Sequence, residues 1–260
     1  MIHSHWRGRL SVVVAVTAVL ISARAHAAII DVQCATNTTP FITQPVFTGP
    51  AVVGASGDFW NVVAGSDTGT PGSFFGVPLK DSAGNATPVT MNFFYTGFWG
   101  KTSGSPPWAF EGTPYASLMD QYAFGYASGV VHMLLSNLAP GPYDFYLYSS
   151  PSPDATARVT NFTVTTNSQT LTGTTGPNTT PSTFQEGVNY VHFQPLIGSD
   201  GQLRVTLDPG ADEHLQGITS QGNLNGFQLV QAPEPDASII VLATIAIGML
   251  LARRPGPSFT

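Results

Sequence analysis

Short runs in which apolar and polar residues alternate recur along the middle of the chain, and each predicts a β-strand. The clearest covers residues 89–96, where apolar and aromatic side chains occupy the odd positions and threonine or asparagine most of the even ones. Clusters of Gly, Pro, Asn and Asp separate the runs, and residues 81–85 predict a turn. The remaining predicted strands are 130–135, 143–148, 158–166, 188–194, 202–208 and 226–231.

Sustained helical periodicity is missing from the same region. Only residues 117–124 are a candidate helical turn, residues 36–49 are a candidate first strand, and the polar run 172–183 predicts a loop. Short strands without helices favour a sandwich or a jelly roll. The predicted fold is therefore all-β, a single antiparallel β-sandwich or jelly roll over residues 28–231, flanked by an N-terminal signal peptide and a C-terminal hydrophobic helix.

The N-terminal segment has the three parts of a secretory signal. Residues 1–9 are basic, residues 10–22 are apolar, and Ala25 and Ala27 form the small-x-small pattern that signal peptidase cleaves. The apolar run is closer to the ~7–15 residues of a signal core than to the ~20 of a membrane span. We expect cleavage after Ala27; a retained membrane helix is the alternative.

The C-terminal segment, residues 232–260, has a proline-marked start and an arginine-marked end. Pro233, Glu234 and Pro235 precede an apolar stretch over residues 239–251, which Arg253 and Arg254 follow. Prolines favour an extended backbone, and the arginines favour a cytoplasmic C-terminus. This tail resembles the PEP-CTERM sorting signal. The resemblance implies that an exosortase recognises and cleaves it. It differs in continuing for six residues after the arginines, and a plain membrane anchor is the alternative.

The composition of residues 28–231 excludes some classes of function. Charged residues make up 9% of the chain, and the cations of this region are Lys80, Lys101, Arg158 and Arg204. No basic patch is available to neutralise a phosphate backbone, so nucleic-acid binding is excluded. Cys34 is the single cysteine and forms no intrachain disulfide.

Several motifs in this region resemble a secreted module found in PEP-CTERM proteins. The resemblance implies a galactose-binding-like β-sandwich, and it brings no catalytic residues with it. The matching stretches are residues 58–61, 79–82, 118–122, 138–148, 187–193 and 225–229.

Catalytic and metal-binding patterns are sparse. His132, His192 and His214 lack the spacing of a compact metal motif. The first two lie in predicted strands, either on a solvent-exposed face or in a satisfied hydrogen bond. No cofactor is expected, although an acidic cluster offers oxygen ligands for Ca²⁺. A solvated turn explains that cluster, Asp208, Asp212 and Glu213, equally well.

Aromatic residues are concentrated in residues 93–115 among glycines and prolines. Such rings either fill the core of a sandwich or stack on sugar rings. Within this set, Trp99 and Trp108 are the pair predicted to be exposed and to bind carbohydrate.

Three functions remain open from the sequence. The first is a non-enzymatic protein of the cell surface or extracellular matrix, membrane-anchored before processing and associated with exopolysaccharide or biofilm. The second is a carbohydrate-binding module, and the third is a glycan-active hydrolase or lyase. The predicted partners are signal peptidase, exosortase and extracellular polysaccharide.

Overall fold

The computed structural model of the chain describes residues 28–37, 45–66, 71–103, 106–126, 131–150, 158–176, 182–209 and 221–232. All of them belong to one compact unit, Ala28–Ala232. The predicted signal peptide, with Ala25 and Ala27, and the predicted tail, with Pro233, Glu234, Pro235, Arg253 and Arg254, lie outside the described residues. None of the helices in the described ranges has the length and apolar character of a membrane span.

The described residues form fifteen strands and one four-residue helix, α1 (Ala116–Met119). The strands are β1 (Ile29–Thr36), β2 (Asn61–Gly65), β3 (Gly72–Lys80), β4 (Ala86–Tyr95), β5 (Gly97–Gly100), β6 (Gln121–Tyr126), β7 (Val131–Ser136), β8 (Gly141–Tyr148), β9 (Thr160–Thr165), β10 (Thr170–Thr175), β11 (Tyr190–Phe193), β12 (Leu196–Ile197), β13 (Leu203–Pro209), β14 (Gln221–Leu224) and β15 (Gly226–Gln231). The all-β class is confirmed.

Three sheets organise these strands. The first sheet has the order β11–β8–β15–β1–β2, with β12 also paired to β8. The second sheet has the order β10–β9–β13–β7–β4–β3, and β14–β6–β5 form the third, smaller sheet. The predicted antiparallel arrangement holds for every strand pair described except β1 with β2, which are parallel. Residues 37–60 separate β1 from β2, and this long connection allows the parallel pairing that a tight hairpin forbids.

The main core lies between the inner faces of the first and second sheets. Alternation within each strand sends every second side chain inward. On β8 the inward residues are Tyr143, Phe145 and Leu147, as the sequence pattern predicts, and on β9 they are Phe162 and Val164. Burial of such side chains is the dominant favourable contribution to folding.

The outer face of the first sheet is also covered in part. Residues 46–60, which we call the strap, lie over the outward side chains of β1, β15 and β8. Phe47 and Trp60, from the two ends of the strap, pack against each other and join Tyr148 in a second buried cluster. The strap explains why β1 is buried on both faces.

Two local predictions are wrong. Of the candidate first strand at residues 36–49, only Thr36 is in a strand, as the last residue of β1 (Ile29–Thr36), which lies between β15 and β2; Asn37 and residues 45–49 are outside strands, and residues 38–44 lie outside the described residues. The candidate helical turn at residues 117–124 ends at Met119, because residues from Gln121 onward pair with β5 and β14 as strand β6. In both places, pairing with distant strands decides the conformation.

Candidate functional site

The outward side chains of β8 and β11 meet at the end of the first sheet that the strap leaves open. Tyr146 on β8 lies directly opposite His192 on β11 in the antiparallel register. Their rings are parallel, with an interplanar angle of 6° and centroids 4.4 Å apart. Cross-strand neighbours of this kind support each other's orientation. The stack holds the imidazole of His192 against one face of the Tyr146 ring.

Asp144 fixes two further groups at the same place. The Nε2 atom of His192 lies 2.9 Å from Asp144 Oδ1, and Gln194 Nε2 donates to the same oxygen at 3.1 Å. Because an ionised carboxylate only accepts hydrogen bonds, the imidazole carries its hydrogen on Nε2. In the neutral ring, Nδ1 then remains an acceptor. The side chains of His192 and Asp144 are 27% and 31% exposed, so the pair stays within reach of solvent.

A cleft opens beside these groups, between edge strand β10 of the second sheet and edge strand β11 of the first. Its volume is about 470 Å³, within the ~300–1,000 Å³ of small-ligand sites. Leu171, Val191 and Phe193 provide apolar surface. The remaining lining residues are polar or glycine: Thr172, Gly173, Thr174, Glu186, Gly187, His192 and Gln194. We call this the β10–β11 cleft.

A glycine allows the two edge strands to approach each other at this cleft. A Cβ atom at Gly173 would lie 2.9 Å from the ring Cζ of Phe193 and 3.3 Å from Val191 Cγ1. A larger residue would therefore displace the ring of Phe193. The sequence prediction placed residues 172–183 in a loop, whereas Thr172 and Thr174 are exposed residues of β10.

The carboxylates near the cleft contribute to raising the pKa values of two tyrosines. Burial raises the pKa of Tyr146, and the nearby charges of Asp144 and Glu186 raise it further. Burial also raises the pKa of Tyr190, with Glu186 adding to the shift. Both effects disfavour the phenolate form. None of the lining residues is a lysine or an arginine.

The two predicted carbohydrate-binding tryptophans lie elsewhere, and only one is exposed. Trp99 on β5 is 36% exposed, whereas Trp108 is 5% exposed. Trp108 packs against Tyr122, with ring centroids 6.1 Å apart, and its indole N–H has no hydrogen-bond partner among the described residues. The prediction of an exposed pair is wrong for Trp108, because packing against the third sheet buries its ring.

The predicted calcium ligands are only partly described. Asp208 is an exposed residue of β13, and Asp212 and Glu213 lie outside the described residues. In the part of the chain that the structure describes, no three His, Cys, Asp or Glu side chains are grouped closely enough to hold a metal ion.

The predictions for the two histidines of the predicted strands are confirmed. His132 is exposed on β7, and His192 makes the hydrogen bond described above. Cys34 is buried in the main core, and burial raises the pKa of its thiol to about 12. A thiol so far from ionisation at neutral pH is unreactive.

Sequence reasoning did not identify Asp144, Glu186 or Gln194 as members of a site. Alternation along residues 143–148 and 188–194 places Asp144, Tyr146 and His192 on outward faces. The missing information was that β8 and β11 are neighbours, since 41 residues separate Tyr148 from Tyr190 and nothing local encodes their register.

No family model and no curated protein matches the chain. Solved structures with some similarity are the ANX2 ectodomain from Arabidopsis thaliana (11% identity, TM-score 0.41, 75% of this chain and 56% of that one) and the plant peptide RALF23 in complex with FER and LLG2 (13%, 0.43, 80% and 50%). A structure of TmCBM61 with β-1,4-galactotriose matches at 9% identity and a TM-score of 0.28, over 56% of this chain and 90% of that one. The chain spans about half the length of the plant chains it matches. These similarities are too low to bear on function.

Proposed function

We propose that this protein is an exported, non-enzymatic surface or matrix protein that binds extracellular polysaccharide through the β10–β11 cleft. The observation that supports this most directly is the fixed set of polar groups at the cleft. Asp144 orients both His192 and Gln194, and Tyr146 holds the imidazole in place. Glycan hydroxyls both donate and accept hydrogen bonds, and the imidazole, amide, threonine and carboxylate groups at the cleft offer both roles.

Preorganisation is the reason that this arrangement favours binding. Ordering a flexible side chain on association costs ~0.5–1.5 kcal/mol. At the cleft that cost is already met on folding for His192 and Gln194, because each has a partner in the free protein. The partly exposed Leu171 offers apolar surface that complements the C–H face of a sugar ring, whereas Val191 and Phe193 are 5% and 6% exposed and belong mainly to the core.

The export part of the proposal rests on the sequence. The N-terminal signal ending at Ala27 and the tail containing Pro233, Glu234 and Pro235 imply a membrane-attached precursor that an exosortase processes. Replacing Pro233 and Glu234 by alanine together is expected to leave the tail attached, as mass spectrometry of the C-terminus measures. Normal processing of the double variant would leave only a generic anchor.

The binding part is tested with two histidines in matched positions. His192→Ala removes a ring at the cleft, and His132→Ala removes one from an exposed position on β7 that does not line it. We expect the wild type to be retained on at least one immobilised neutral polysaccharide among a β-glucan, a galactan, a xylan and a mannan. His192→Ala should weaken retention about fivefold to thirtyfold, because one or two hydrogen bonds of ~1 kcal/mol each are lost.

His132→Ala should bind as the wild type does. Equal losses in both variants would place binding outside the cleft, and failure of the wild type to bind any of the four polymers would refute the binding of neutral polysaccharides by this domain. Circular dichroism and thermal unfolding of each variant establish that the fold is retained.

A further inference from the structure

The charged side chains described at the β10–β11 cleft are both acidic. Glu186 lines the cleft, and Asp144 lies next to it beneath His192 and Gln194. Both carboxylates act on Tyr146, which places them in one electrostatic environment. Among the described residues, no lysine or arginine lines the cleft, and the chain carries a formal net charge of −6. A ligand in this cleft therefore meets negative potential without a compensating cation.

The two carboxylates differ in how many hydrogen bonds they already make within the protein. Asp144 already accepts hydrogen bonds from His192 and Gln194. Glu186 is exposed, and its carboxylate makes no hydrogen bond or ion pair with the described residues. An uncommitted carboxylate at the rim of a cleft favours a cation in a ligand and repels an anion.

We infer that the cleft selects amino-sugar polymers with free ammonium groups, over N-acetylated polymers and over polyuronates. This inference rests on the proposed function, since it names the class of polysaccharide that the same cleft takes. Glu186 pairs with the ammonium group. Gln194, His192 and Thr172 face the neutral hydroxyls, and the apolar lining contacts the ring.

Uronate polymers are disfavoured by the same geometry. Their carboxylates approach Glu186 and Asp144 without any lysine or arginine to offset the repulsion. Like charges that approach each other at a partly desolvated surface repel, and this repulsion lowers the affinity for a polyuronate relative to a neutral or cationic polymer.

The experiment compares three oligosaccharides of equal length by calorimetry at low salt. They are a chitosan oligomer with protonated amines, the corresponding N-acetylated chitin oligomer, and an oligogalacturonate. The wild type should bind the chitosan oligomer about threefold to fivefold more tightly than the chitin oligomer, as one exposed ion pair allows. Binding of the oligogalacturonate should be the weakest, and added salt should reduce the preference for chitosan.

Glu186→Gln removes the charge and keeps the shape, and it should equalise chitosan and chitin. Asp200→Asn is the control, since it removes one exposed carboxylate outside the cleft and changes net charge equally. The preference should persist in this control.

Each contrary outcome has a distinct meaning. Equal binding of chitosan and chitin by the wild type would overturn the selectivity and leave polysaccharide binding standing. Loss of the preference in Asp200→Asn as well would overturn it too, because net charge and not the cleft would be its source. Failure to bind these oligomers or any neutral polysaccharide would remove the proposed function itself.

Discussion

The two faces of the first sheet are both buried, the inner by apolar side chains and part of the outer by a hydrogen-bonded polar layer. Strand β1 shows both: Val32 and Cys34 point into the main core, while Asp31 points outward and is still 0% exposed. The outer layer continues through Gln228 and Tyr148. Gln228 Nε2 donates to Asp31 Oδ1 at 2.7 Å, and the Tyr148 hydroxyl donates to Gln228 Oε1 at 2.5 Å.

This polar layer holds the strap through its backbone. The amide of Val53 donates to Gln228 Oε1 at 3.2 Å, and Gln228 Nε2 donates to the carbonyl of Val53 at 3.1 Å. The amide of Phe47 donates to Gln33 Oε1 at 2.8 Å. Hydrogen bonds are directional, whereas apolar contacts are not. The inner face therefore contributes most of the stability of the fold, and the outer face mainly fixes the position of the strap.

The largest expected effect is on the apolar face. Phe145 is fully buried against Phe227, with ring centroids 5.6 Å apart. Phe145→Ala should lower the free energy of unfolding by ~3–5 kcal/mol, from lost transfer energy and the cavity. The same change at Phe75, which is 67% exposed, is the control and should cost about 1 kcal/mol or less. Urea unfolding measures both, and similar losses would contradict the assignment of the core.

A smaller and more local effect is expected on the polar face. Gln228→Leu keeps the size of the side chain but leaves Asp31 Oδ1 and the backbone of Val53 without their partner. Each buried unsatisfied group costs ~1–3 kcal/mol, and lifting of the strap limits the total to about 2–3 kcal/mol. Hydrogen exchange within residues 46–60 should accelerate. The control, Gln202→Leu at an exposed site, should change neither quantity; unchanged exchange in Gln228→Leu would show that the strap is held by other contacts.

The smallest effect is pH-dependent and comes from Asp31. Burial raises the pKa of Asp31 to about 7, and the charge of Asp58 adds to the shift while the hydrogen bond from Gln228 opposes it. The folded protein therefore binds a proton at Asp31 that the unfolded chain releases near the ordinary aspartate pKa of 3.8. Stability from this group is present at low pH and is lost as the pH rises towards 7.

Asp31→Asn cannot ionise, so it should lose this dependence. We expect the fall in unfolding free energy between about pH 5 and about pH 7 to shrink by about 1–2 kcal/mol, against a ceiling of ~1.4 kcal/mol per pH unit. Asp120 is the control, since burial also raises its pKa to about 7 and Asp120 Oδ1 has no hydrogen-bond partner. Asp120→Asn should alter global stability with pH but leave the exchange of Val52 and Val53 amides unchanged. In Asp31→Asn the exchange of these two amides should change. If their exchange is the same in both variants, Asp31 does not contribute to holding the strap.

Sequence pattern predicted much of the inner face and little of the outer one. Inward residues of β8 and β9 follow alternation because one side of each strand meets an apolar layer. The bounds of β15 were predicted as observed. The strand that carries Asp31 and Gln33 was not predicted, and nothing local reveals that a segment centred some twenty residues later covers these side chains. Burial of polar side chains depends on tertiary contacts and leaves no periodic signal.

The candidate site shows the same limit. The outward positions of Tyr146 and His192 are readable from the sequence, and their pairing is not. Trp108 was expected to be exposed because prolines and glycines surround it, yet the third sheet buries it against Tyr122. Local composition does not report which sheet a loop packs on.

The position of β15 between β8 and β1 has a consequence for the order of assembly during synthesis. β15 is the last described strand along the chain, and it pairs with both neighbours inside the first sheet. Until residues 226–231 are made, β11 and β8 on one side and β1 and β2 on the other have no shared strand. Contacts between such distant segments slow folding. A chain from which residues 226–231 have not yet emerged therefore lacks the strand that joins the two parts of its first sheet, and this sheet can form completely only after that strand has left the ribosome.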